Sequence, residues 1–332
     1  MTIDIVYKLL AIIFTVALGY TAGRLKWLGD EGVAARVLGN LAFMLFVPAL
    51  LFRTTARLDL GAMPWRTMAA FFVPALVVLI GVYVWQRRVA GRPEAAALGA
   101  AAPSVRAISC SFGNSVQLGI PFATALFGEP GLAIHVALVS LHALVLLSVL
   151  TVLVELDLMR ARSRLAAGQA APSLLRTLGT TVRNTIIHPV VLPVLAGLAW
   201  NATGWALPGV VDESLATLAS AVVPVCLVLI GVTLAAYGLA GSLRGAVTVS
   251  VIKLLLMPAL VLVAAHWGFG LEGLPLAVVV MMASLPVGNN ALIFAQRYDT
   301  LQAEANAAIV VSTAAFAVTA SLWLAVLAAL GV

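Results

Sequence analysis

Residues 109–128 read SCSFGNSVQLGIPFATALFG, and residues 281–298 read MMASLPVGNNALIFAQRY. Each lies inside a long apolar run that is interrupted near its middle, by Gly113 and Asn114 in the first case and by Pro286, Gly288, Asn289 and Asn290 in the second. Pro286 lacks a backbone donor and clashes with the preceding turn, and glycine favours non-helical backbone, so the helical ladder is expected to fail at both places. What the freed amides and carbonyls then bond to depends on the solvent. Hydrophobic residues make up 63% of the 332 residues and charged ones 10%, whereas a soluble domain carries about 25% charged residues. Apolar runs of about 20 residues, enough to cross a hydrocarbon core of about 30 Å as helix, recur along the chain. They are continuous in Leu, Val and Ala and lack the polar–apolar alternation of a barrel strand. The expected class is an all-α integral membrane protein, in which a broken helix must satisfy its backbone against protein or a water-lined cavity.

Working outward, apolar windows predict ten transmembrane helices near 4–23, 33–52, 67–86, 97–127, 131–156, 182–202, 213–236, 245–267, 273–297 and 305–330. Residues 1–156 form a first group of five and 182–332 a second, with a basic linker over 157–181 between them. No basic stretch precedes the first run, and Lys8 falls within it, so an uncleaved first helix is expected rather than a signal peptide. The 19 Lys and Arg are unevenly shared between the two sides of such a path. One side holds thirteen: Arg24, Lys26, Arg36, Arg87, Arg88, Arg92, Arg160, Arg162, Arg164, Arg176, Arg183, Arg244 and Arg297. The other holds four, Lys8, Arg53, Arg57 and Arg66, and two, Arg106 and Lys253, fall within helices. The positive-inside rule puts the first set in the cytoplasm of a cell membrane and both termini on the other side. The basic segment from Arg160 to Arg183 is expected to lie along the anionic inner leaflet.

The two groups resemble each other. Pro48 in LAFMLFVPALLF matches Pro224 in ASAVVPVCLVLI, and Pro74 in FFVPALVVL matches Pro258 in LLLMPALVL, at offsets of 176 and 184 residues. Five helices per group reverse the second group's orientation, which makes an inverted repeat in which the fourth and ninth helices carry equivalent breaks. Such breaks point to a substrate site near the midplane. Beyond each break a new half-helix begins. Its first amides, at Asn114 to Gln117 and at Gly288 to Ala291, carry partial positive charge that suits a carboxylate. The side chains of Asn114, Ser115, Gln117, Asn289 and Asn290 add donors and acceptors. The structural alternative is that these groups only satisfy the broken backbone. The substrate-binding set read this way is Gly113, Asn114, Ser115, Gln117, Pro286, Gly288, Asn289 and Asn290, with a small organic anion as the guest.

Five stretches, FVPALLF at 46–52, GNSVQLGIPFATALFGEPGL at 113–132, HPVVLPVLAGL at 188–198, VPVCLVLIGVTLA at 223–235 and SLPVGNNALIFAQRY at 284–298, make the chain resemble the auxin efflux carrier family, whose bacterial members include malate and malonate transporters. The resemblance implies two inverted five-helix repeats with crossing broken helices 4 and 9, and a scaffold formed with helices 1, 2, 6 and 7. It also implies elevator-type alternating access and a homodimer. Plant members carry a proline at each crossing. This chain keeps Asn114 and Pro286 but has Gly113 at the first position.

Two readings are open for Arg106 and Lys253, placed in the cytoplasmic halves of helices 4 and 8: a basic vestibule that gathers anions, or long stems reaching the headgroups. His135 and His142 lie seven residues apart on one face of helix 5, with His142 near the middle of the membrane, as a proton relay or as a packing histidine. Cys110 and Cys226 stand in apolar runs without metal-ligand spacing, so neither metal nor cofactor is expected. No nucleophile motif, HExxH or phosphate-binding loop appears, which argues against an enzyme or an ATP-driven pump. The expected activity is secondary transport of a mono- or dicarboxylate such as malate or malonate, with proton or sodium coupling open. A sodium-coupled organic-anion symporter of the bile-acid type is the transport alternative, and a channel or receptor the alternative of a different class.

Overall fold

A computed structural model describes residues 3–57, 65–89, 98–165, 191–236 and 243–332. They are helical, with no strand among them beyond one isolated bridge. The helices are α1 (Ile3–Arg24), α2 (Glu31–Ala56), α3 (Trp65–Val89), α4 (Ala102–Ser111), α5 (Gly119–Leu165), α6 (Val191–Ala202), α7 (Gly209–Ala236), α8 (Leu243–Gly268), α9 (Gly273–Ser284), α10 (Asn290–Arg297) and α11 (Gln302–Ala329). Six of them, α2, α3, α5, α7, α8 and α11, are long and apolar enough to cross a membrane. Large apolar side chains stand outward, among them Phe14, Met44, Val210 and Val318. Such a surface is stable only against lipid, and the chain is a multi-pass membrane protein.

Two expected helices are longer or shorter than their apolar windows. The run expected from residue 97 begins as helix only at Ala102, because Gly99 takes a left-handed turn at φ 88°. Its second half runs into the next helix without a loop, and the two join as α5 through a kink at Gly128, φ 63° and ψ −161°. That helix then continues to Leu165, past the expected end at 156, because Asp157 is held inside by Tyr83 Oη at 2.8 Å and flanked by Arg87 and Arg160. Hydropathy alone registers Asp157 as an end. Most of the 157–181 linker, with Arg176, lies outside the described residues, as do Arg183 and the start of the helix expected near 182–202, Arg92, and the side chains of Lys8, Arg162 and Arg164.

The helices pack as two groups. In one, α1 lies along α7, and α2 packs on α6 and α7. The α1–α7 contact is backbone to backbone: a Cβ on Gly231 would come within 2.1 Å of Val16 O, and one on Gly19 within 2.3 Å of Val228 O. Small residues allow this close approach in lipid, where packing rather than hydrophobic exclusion drives association. In the other group, α3 packs on α4, α8 and α9, and α11 packs on α8. α5 touches both groups.

Two π-helical turns widen helices just before a proline, at Ala42–Phe46 ahead of Pro48 and at Ile252–Leu256 ahead of Pro258. Pro258 cannot donate to Leu254 O four residues earlier. The indole Nε1 of Trp323 on α11 takes the place of that donor at 2.8 Å.

Candidate functional site at the crossing of two broken helices

The chain between α4 and α5 meets the chain between α9 and α10 head on. Phe112 and Leu285 leave the helical region, with ψ of 111° and 146°. Leu285 does so because it precedes a proline, which disfavours helical backbone. Gly113 and Val287 form an antiparallel bridge: Asn114 N donates to Pro286 O at 2.8 Å, and Gly288 N donates to Phe112 O at 2.9 Å. Each break thus satisfies the other's backbone, which hydrocarbon would not do. The approach is so close that a Cβ on Gly288 would lie 2.7 Å from Gly113 O. Val287 N is taken by Ser312 Oγ of α11 at 3.0 Å.

Side chains tie the breaks together. Gln117 Oε1 accepts from Asn114 Nδ2 at 3.3 Å and from Asn289 Nδ2 at 3.0 Å, bridging two segments 172 residues apart in sequence. His135 Nε2 lies 2.8 Å from Ser115 O, a contact that needs the absence of a side chain at Gly119, where a Cβ would sit 2.6 Å from the ring. His142 Nδ1 lies 3.3 Å from Ser115 Oγ, and its ring packs on Phe112 at 4.2 Å between centroids. His142 Nε2 is buried with no hydrogen-bond partner among the described residues.

Apart from His135 and Gly119, these side chains line one cavity of about 30 Å3, room for about two water molecules. Of the eight residues the sequence assigns to substrate binding, Gly113, Asn114, Ser115, Gln117, Gly288, Asn289 and Asn290 line it. Pro286 does not, and contributes its carbonyl to the bridge instead. Phe43, Phe112, Val116, Val139, His142 and Ala143 complete the wall. Phe43 belongs to the π turn of α2 and carries no sequence signal that separates it from other apolar residues.

The expected rows of free amides are reduced. Those of Asn114, Ser115, Gln117, Gly288 and Ala291 are spent within the crossing, on Pro286 O, Gly113 O, Asn114 Oδ1, Phe112 O and Gly288 O. The amides of Val116, Asn289 and Asn290 have no partner among the described residues.

The two helix cations take different positions from a shared vestibule. Arg106 lines a separate cavity of about 430 Å3 together with Gln86 and Arg244, but its charge is neutralised. Nε and Nη2 donate to Glu304 Oε1 and Oε2 at 2.7 and 2.9 Å, and Nη1 donates to Gln86 Oε1 at 2.9 Å. Lys253 reaches neither that cavity nor a membrane surface. It is 1% exposed, and Nζ donates to Ala283 O at the crossing, at 2.6 Å. Cys110 and Cys226 are buried free thiols, and no metal-ligating cluster occurs among the described residues.

A multi-pass helical protein with two interrupted helices bonded to one another beside a cavity that holds Asn and Gln side chains has the form of a transport protein. Residues 4–324 match the family described as membrane transport protein, and the chain belongs to it. That is a family of transporters, auxin efflux carriers among them, and not of enzymes. The chain is similar to an "Uncharacterized transporter" of Methanothermobacter thermautotrophicus, 26% identical over 96% of this chain and 97% of the relative. It is similar to a "Putative malonate transporter" of Rhizobium meliloti, 27% identical over 90% and 88%. Auxin efflux carrier component 8 of Arabidopsis thaliana is 24% identical over 56% of this chain and 60% of the relative.

Proposed function

We propose that this transporter carries a small carboxylate by secondary transport, bound at the crossing between α4/α5 and α9/α10. The observation that carries the reading is the juxtaposition in one buried cavity of Asn114, Gln117, Asn289 and Asn290 with the partnerless Nε2 of His142. With Ser115 Oγ taken as the donor to Nδ1, 3.3 Å away, the ring proton falls on Nε2, where it can bond a carboxylate oxygen. Three free amides at the starts of the half-helices add positive potential. A relative named for malonate supports this substrate class.

In this reading α1 to α11 make ten crossings, α4 with the start of α5 and α9 with α10 each counting as one broken span, in two inverted repeats. Thirteen of the 19 basic residues then face the cytoplasm, and both termini lie outside. The α1–α2–α6–α7 group serves as scaffold, in a homodimer, and the other group carries the crossing across the membrane as an elevator.

Uptake of labelled malonate, malate and an aromatic carboxylate into proteoliposomes, with and without preloaded substrate, tests the proposal. Saturable uptake stimulated by internal substrate is expected for at least one of them. Flux that never saturates and shows no counterflow would make the protein a channel. Well-folded protein that moves none of them would remove the carboxylate assignment.

A further inference from the structure

Lys253 is among the largest fully buried side chains in the protein, and no carboxylate pairs with it among the described residues. Its surroundings account for a cation there. Ala283, whose carbonyl it bonds, belongs to the last turn of α9, where carbonyls lack helical donors. On its other side, Nζ stands 3.4 Å from the position of a Cβ on Gly113, just past the end of α4 at Ser111. The antiparallel bridge therefore brings two helix C-termini, each with partial negative charge, to one buried point. Two such ends facing each other away from water need a positive charge between them.

The side chain is aimed at this point by its helix. Lys253 sits in the π turn Ile252–Leu256, and the next residue's carbonyl is fixed by Trp323. π turns recur at functional positions because they redirect a side chain without ending the helix. Gly113 forms part of the substrate cavity wall, so the ammonium lies directly behind the place where an anion would sit.

We propose that Lys253 is a tethered cation, its ammonium occupying the place at the crossing that a bound alkali-metal ion would otherwise fill, so that the site holds its anion without sodium. The claim rests on the crossing being the substrate site, and it removes the sodium-coupled alternative. Lys253→Ala takes away a propylammonium-sized group and leaves Ala283 O without its donor.

Thermal unfolding in lipid nanodiscs, in chloride salts of sodium, potassium, propylammonium and choline, reads the site without any substrate. The wild type is expected to unfold at one temperature in all four. Lys253→Ala is expected to unfold lower and to recover by about 2 °C or more as propylammonium or sodium saturates it, with no recovery in choline. Lys253→Met, which fills the space without charge, is expected to respond to none. In proteoliposomes, wild-type uptake should be unchanged when choline replaces sodium, and the uptake lost in Lys253→Ala should return with propylammonium. Specific stabilisation of the wild type by sodium, or uptake driven by a sodium gradient, would overturn the proposal. So would a folded, monodisperse Lys253→Ala that no cation stabilises. Failure of the carboxylate assignment would instead show as a wild type that carries no carboxylate, with the unfolding series still interpretable.

Discussion

At the scale of single residues, the crossing separates groups that hold its shape from groups available to a guest. Gly288 is the clearest of the first kind, since any side chain there would press on Gly113 O at 2.7 Å and open the bridge. Gly288→Ala is expected to abolish uptake and to lower the unfolding temperature, measured on the same preparation. Asn289 is of the second kind. It is half-buried, and its one side-chain bond is to Gln117 Oε1. Asn289→Ala is expected to raise the KM for uptake several-fold with little change in unfolding temperature, because a single partly exposed hydrogen bond contributes about 1 kcal/mol. An unchanged KM would place the substrate elsewhere. His142 calls for two variants: His142→Ala should weaken binding through loss of a buried donor, and His142→Gln, which keeps an N–H but cannot carry a proton, separates hydrogen bonding from relay. Retained proton-driven uptake in His142→Gln would exclude the relay. The sequence already marks most of these residues, because Gly, Asn and Pro are conspicuous in apolar runs. Their division of labour is invisible there, since which amides are spent depends on a partner segment more than 170 residues away.

At the scale of elements, the breaks follow from local chemistry, but their geometry does not. Pro286 forces Leu285 out of the helical region and ends α9 at Ser284. Restoring the donor with Pro286→Ala allows α9 to extend, drawing Pro286 O away from Asn114 N and Val287 N away from Ser312 Oγ. Uptake is expected to fall by much more than stability, read as kcat against unfolding temperature, and a fully active variant would show that the proline-imposed end of α9 is dispensable. Pro258 shows the opposite arrangement, a proline whose missing bond is made good from outside. Trp323→Phe removes the indole donor from Leu254 O, and leaving a buried carbonyl unsatisfied costs about 1–3 kcal/mol, which unfolding measurements on the variant would reveal. Helical periodicity puts Lys253 in a helix near the cytoplasmic side, and the vestibule reading follows from that depth. The π turn and the converging ends of α4 and α9, neither of them a property of local sequence, direct its side chain to the crossing instead.

At the scale of the whole molecule, the apolar composition makes the membrane class legible, and the broken runs mark where the chain is polar inside it. What composition cannot supply is which helices move together. The ion pair of Arg106 with Glu304 and its hydrogen bond to Gln86 join α4, α11 and α3, and the indole bond of Trp323 joins α11 to α8, so that these helices are tied to one another through largely buried polar contacts. Between this group and the α1–α7 pair lies an apolar cavity of about 200 Å3, lined by Ile13, Val16 and Ile230 on one side and by Leu118, Phe122, Thr313 and Ala317 on the other. In the elevator proposed above, such a surface, mostly apolar, is where one group would slide past the other. If the crossing moves as an elevator, a cross-link between cysteines placed at Val16 and Ala317 should stop uptake, and reduction should restore it. A cross-link within the moving body, between cysteines at Trp85 and Thr248 around the larger cavity, should leave uptake largely intact. Full activity with the Val16–Ala317 link closed would mean that the two groups do not slide past each other, and alternating access would then have to come from smaller motions at the breaks themselves.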